Sequence, residues 1–70
     1  MAPYQESVIE EHSKLLIERE KLREFTGTKS FDDLPDVDKM LLMHQLNAMS
    51  AYANVLYLRM HRFGGPGNAV

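Results

Sequence analysis

The chain has 70 residues and 8.1 kDa, with 8 Lys and Arg against 10 Asp and Glu, a formal net charge of −2, and no cysteine. That size holds one domain at most. The missing cysteines exclude a disulfide framework and thiolate metal sites and make an intracellular compartment the expectation, and a mildly acidic chain is a poor wrapper of nucleic-acid phosphates.

The opening MAPYQESVIEEHS is acidic and polar, unlike a signal peptide. Pro3 is followed by residues 4–26 without a helix breaker, then Gly27; Pro35 is followed by residues 36–63 without one, then Gly-Gly-Pro-Gly at 64–67. Proline at a helix start and glycine past its end is the expected asymmetry. The reading is therefore all-α: a first helix over about 3–26 and a second over about 36–63, joined as an antiparallel hairpin in a single domain 1–63, with a flexible tail 64–70.

The first helix carries a stripe of Tyr4, Val8, His12, Leu15, Arg19 and Leu22. Val8, Leu15 and Leu22 recur every seven residues, while His12 and Arg19 occupy positions that an idealised seam fills with apolar side chains. Glu6, Glu10, Glu18, Glu20 and Glu24 form a solvated face, offset in part by pairs such as Glu10 with Lys14. In the linker, Ser30 to Asp33 is predicted to form one turn, capped by Ser30 or Asp33.

In the second long helix, Leu42, Leu46, Met49, Ala53, Leu56, Met60 and Phe63 are spaced 4, 3, 4, 3, 4, 3, a 3.5-residue period characteristic of a coiled-coil seam. Leu41, Ala48, Tyr52 and Val55 flank it and are apolar too, and Ala48 and Ala53 would admit a close neighbouring helix. A hairpin this small obtains only ~3–5 kcal/mol from a single core without a staple. The two-sided apolar helix therefore predicts a compact homo-oligomer, one side packing on the first helix and the other on a second copy, the alternative being a monomeric three-segment mini-fold. No apolar run approaches the roughly 18–20 residues of a membrane span.

Charge is unevenly placed. Residues 1–38 hold five bases and all ten acids, whereas residues 39–70 hold Lys39, Arg59 and Arg62 and no acid. No catalytic set accompanies it: the serines lack a nucleophile-elbow context, and there is neither a zinc-protease His pair nor a phosphate loop. Two constellations remain. Tyr4 with Arg19, joined by His12, Lys14 and Lys21, offers an aromatic ring and cations, the minimum equipment for holding a nucleotide. By residue type alone the plainer assignment comes first, with Tyr4 in the core and Arg19 snorkelling over the hairpin. Tyr4 and Arg19 lie about 22 Å apart on one helix at ~1.5 Å per residue, so only two antiparallel copies could bring them to one ligand. A two-fold pocket of that kind would match a cyclic dinucleotide. Arg59, His61 and Arg62 form the second constellation, for which complementing the helix dipole is a sufficient role; across an oligomer axis they could also hold a larger anion.

Tyr4-Gln5-Glu6, Val8, Glu10-Glu11, Leu15, Lys21-Leu22 and Phe25 resemble the first helix of a family of small helical tailed-phage proteins, crAss-phage-related, that includes the anti-CBASS cyclic-oligonucleotide sponges. So do Phe31, Leu34-Pro35, Leu41-Leu42, Gln45-Leu46, Ala48-Met49, Ala51-Tyr52, Leu56, Arg59 and Arg62-Phe63; the similarity covers residues 4–63. The resemblance implies a homohexamer without enzymatic activity or cofactor, acting in the host bacterial cytoplasm. It would sequester cyclic dinucleotides, and in some members cyclic trinucleotides, before they activate an immune effector; membranes and nucleic acid polymers would not be partners. An N-terminal Tyr and a first-helix Lys from different protomers hold the dinucleotide in that family, positions that fall on Tyr4 and Arg19. Arg in place of Lys keeps the charge and changes the geometry. A trinucleotide contact would fall on Arg59, with Arg62 as second choice. The competing assignments are a helical oligomer serving as a protein-interaction or structural module, and a small DNA-contacting regulator, which the shortage of bases disfavours.

Overall fold

A computed structural model describes residues 2–64, and those residues form α1 (Pro3–Phe25), α2 (Lys29–Asp32) and α3 (Asp36–Gly64), with no strand among them. Gly64 still belongs to α3; the rest of the predicted tail, 65–70, lies outside the described residues.

Helix α1 starts on Pro3, whose fixed φ suits the first helical position. Ala2 has no side-chain cap to offer, but the Gln5 side chain reaches back and its Oε1 accepts the Ala2 N–H at 2.9 Å, one half of a capping box. At the other end the helix closes on hydroxyls. Thr26 Oγ1 donates to the Arg23 carbonyl at 2.6 Å and Thr28 Oγ1 to the Phe25 carbonyl at 2.7 Å, taking up oxygens that a helix end leaves orphaned.

The linker turn begins one residue earlier than Ser30. Its N-cap is Thr28, in extended backbone (φ −100°, ψ 160°), whose hydroxyl accepts from Phe31 N–H at 3.2 Å. Neither Ser30 nor Asp33 caps it: Ser30 is inside the turn and Asp33 sits at its C-terminus in helical conformation. Thr28 wins because its one oxygen serves both helix ends, accepting for α2 while donating to α1. The turn buries Phe31, which meets Phe25 edge-on at 6.0 Å. Lys39 then ties the turn to α3, donating to the Asp32 carbonyl at 3.2 Å and pairing with Asp36 at 3.5 Å.

Helix α1 meets α3 through Tyr4 against Phe63, Glu11 against Tyr52 and His12 against Tyr57. The particle is a rod of 51 × 15 × 14 Å. Its core is thin. Among the described residues Val8, Phe31, Leu46, Ala53 and Leu56 are the buried apolar ones, and of these Leu56 is fully enclosed. Leu42, Met49, Met60 and Phe63 of the predicted seam are half-buried, and Phe63 meets Tyr4 of α1. Leu41, Ala48, Tyr52 and Val55 are exposed.

Candidate functional site

Among the described residues, two of the depressions lie between α1 and α3. The larger, about 370 Å³, is lined by Ser7, Glu10, Glu11, Lys14, Leu15, Glu18 and Tyr52. Three carboxylates against one ammonium make it a repulsive place for a phosphate. Here the Tyr52 hydroxyl donates to the Glu11 carboxylate. That hydrogen bond, with desolvation and the Glu11 charge adding to it and Arg59 opposing, holds the phenol above its ordinary value of 10.0.

The smaller depression, about 210 Å³, is lined by His12, Leu16, Arg19, Ser50, Ala53, Asn54 and Tyr57. It contains no carboxylate, and its chemistry suits an anion carrying a ring. Arg19 and His12 are seven residues apart and share the face of α1 turned to α3. Ala53 is small and 3% exposed, which leaves the space that a long side chain on the opposite helix can enter. Arg19 is accordingly half-buried, and its Nε is buried without a hydrogen-bond partner. A buried donor in that state costs about 1–3 kcal/mol until something accepts from it. Tyr57 stands beside it, 48% exposed, with the His12 ring at 6.4 Å and the His61 ring at 4.5 Å. Ser50 supplies a hydroxyl and Asn54 an amide.

The candidate residues are thus divided. His12 and Arg19 come together. Tyr4 lies at the far end of α1, 43% exposed, its ring edge-on to Phe63 at 5.7 Å, so Tyr4 and Arg19 do not meet within one chain. Lys21 is exposed, and two residues past Arg19 it is turned away by about 200°. Arg59 and Arg62 are exposed on α3 outside the depression, and Lys14 belongs to the acidic one. Ser50, Asn54 and Tyr57 were not singled out from the sequence. Their spacing of 4 and 3 residues already placed them on one face of the second long helix, next to the core seam, and that was the available signal. Among the described residues no group of His, Asp and Glu is arranged to hold a metal ion, and no helix is long and apolar enough to cross a membrane.

No curated protein and no solved structure matches the chain. A family model described as Sequestin matches residues 2–62, and that name fits a binding protein that sequesters rather than an enzyme. With the match running from the first turn of α1 to the last turns of α3, the chain belongs to the Sequestin family.

Proposed function

We propose that this chain is a non-enzymatic sponge, a phage-encoded homo-oligomer, hexameric like the proteins it resembles, whose protomer is an antiparallel hairpin. It binds cyclic di- and trinucleotide second messengers without hydrolysing them and so keeps an immune effector inactive. The observation that carries the reading is Arg19: a cation in an open, carboxylate-free depression, its Nε unpartnered, with the exposed Tyr57 ring alongside. A phosphate would accept from the guanidinium, and a base would stack on a tyrosine. Tyr4 from a second chain is the proposed second ring, since within one chain it lies about 22 Å from Arg19. Removal is stoichiometric, so affinity and copy number set the effect and turnover plays no part.

Isothermal titration against a panel of cyclic di- and trinucleotides tests the proposal. Saturable binding, with unaltered nucleotide recovered after heat denaturation, is expected. Exchange-mixed Tyr4→Ala and Arg19→Ala subunits should bind better than either parent, because some pockets regain an intact pair. Failure of the whole panel to bind overturns the sponge reading. It would leave the alternative, a protein-interaction module, which the exposed apolar residues Leu41 (57%) and Val55 (50%) favour.

A further inference from the structure

The apolar side chains that α3 turns away from α1 follow a second regular spacing. Positions 37, 41, 44, 48, 51, 55, 58 and 62 are spaced 4, 3, 4, 3, 4, 3, 4, and every one of them is exposed. Six are apolar, with Val37 at 61%, Leu41 at 57%, Val55 at 50% and Leu58 at 54% exposed, and Ala48 and Ala51 in the middle. We infer that this outer face of α3 is a self-association seam on which a second copy lies antiparallel, related by a two-fold axis between Ala48 and Ala51.

The register follows from the sequence. A 4, 3, 4, 3, 4, 3, 4 spacing reads the same from either end, so a reversed copy presents a seam residue opposite each seam residue, with paired numbers summing to 99. Leu41 then faces Leu58 of the second copy, and His44 faces Val55. Ala48 faces Ala51 at the axis, where two small residues let the backbones approach. At the rim Val37 lies under the aliphatic stem of Arg62. An isologous contact of this kind uses one patch twice, which is what a two-fold dimer requires.

The flanking residues select the reversed copy over a parallel one. Asp38 and Arg59 lie beside the seam on the same edge, twenty-one residues apart, about 32 Å along one helix, too far to pair within a chain. In the antiparallel register Asp38 of one copy meets Arg59 of the other, twice by symmetry. On the opposite edge Asn47 meets Asn54, amide to amide. A parallel copy brings each edge against the opposite edge of its partner, leaving Asp38 and Arg59 unpaired and about 32 Å apart along the axis, and stacks His44 on His44 and Arg62 on Arg62 in the seam. The pairing engages Arg59 with a carboxylate, in place of the trinucleotide contact that the resemblance implies for it. It does not depend on the sponge reading.

The chain has no cysteine, so introduced thiols are unique reporters. Leu41→Cys and Leu58→Cys are made separately, checked for helix content by circular dichroism, and oxidised alone and after mixing. The mixture should give a disulfide-linked dimer on a non-reducing gel, and neither variant should do so alone, because like positions lie about 26 Å apart in this register. Self-linking of either variant, or no linking in the mixture, overturns the seam. As a second readout, Asp38→Arg and Arg59→Asp should each weaken association in sedimentation equilibrium at least tenfold and together restore it. Double-variant association no better than that of the singles overturns the register.

Discussion

Arg19→Met separates what this side chain does for the fold from what it does for a ligand. Methionine keeps an unbranched stem of similar reach and removes the guanidinium. In the free protein the buried Nε has no partner, and a buried unmatched donor costs about 1–3 kcal/mol. The rest of the half-buried head opens to the depression and stays hydrated, so the lower half of that range applies. Burying the thioether against Leu16 and Ala53 contributes roughly another methylene's worth, ~0.8 kcal/mol. The variant should therefore be more stable by about 2–3 kcal/mol. In a domain of this size each 1 kcal/mol moves Tm by about 4–8 °C. The same variant should lose cyclic-nucleotide affinity about 10- to 100-fold, the worth of one charge-assisted hydrogen bond of ~1.5–3 kcal/mol. Circular-dichroism melts at one fixed protomer concentration measure the first effect, because association also shifts Tm; isothermal titration measures the second. A variant that melts at or below the wild-type temperature would refute the reasoning, since the Nε would then be satisfied in solution and Arg19 would be a structural group.

Two further outcomes follow from the packing. Leu56→Ala should cost about 3 kcal/mol, within the 2–5 kcal/mol range of buried leucine truncations, because Leu56 is 0% exposed; urea denaturation monitored by helix content reads it, and a change below 1 kcal/mol would mean that the site collapses without a cavity. The Tyr52 phenol, held up by Glu11, contributes stability that is fully present below the unfolded value of 10.0 and is lost as pH rises through the higher folded value. Glu11→Gln should bring the phenol down toward 10.0. Phenolate absorbance of each protein minus that of its Tyr52→Phe counterpart isolates this ring, and an unmoved midpoint would show that the hydrogen bond is absent in solution.

The helices were legible because the devices that bound them are local. Pro3 and Pro35 act through backbone geometry alone, and the expected spans of 3–26 and 36–63 differ from Pro3–Phe25 and Asp36–Gly64 by one residue at each C-terminal end. The inner seam was legible for a similar reason, since a 3.5-residue period admits one face and all seven residues on it are buried or half-buried. The cap of the linker turn was not. Ser30, Asp33 and Thr28 are all competent by type, and the choice depends on Thr28 Oγ1 lying between two helix ends, a relation fixed by where α1 stops.

The candidate site shows the same division. His12 and Arg19 stood out in the sequence as breaks in an otherwise apolar stripe. What they do depends on the facing helix, where Ala53 leaves the gap and Ser50, Asn54 and Tyr57 line it. Sequence periodicity could place each set on a face; it could not say that the gap in one stood opposite the breaks in the other. An α1 with leucine at positions 12 and 19 would close the depression and bury more apolar surface. The chain instead holds a cation there with an unmatched donor, at a cost of about 1–3 kcal/mol, where the described residues include five buried apolar ones. A local rule broken at the expense of stability is the pattern expected where a ligand supplies the missing partner, and the carboxylate-free lining of the depression fits the anion that the proposed function requires there.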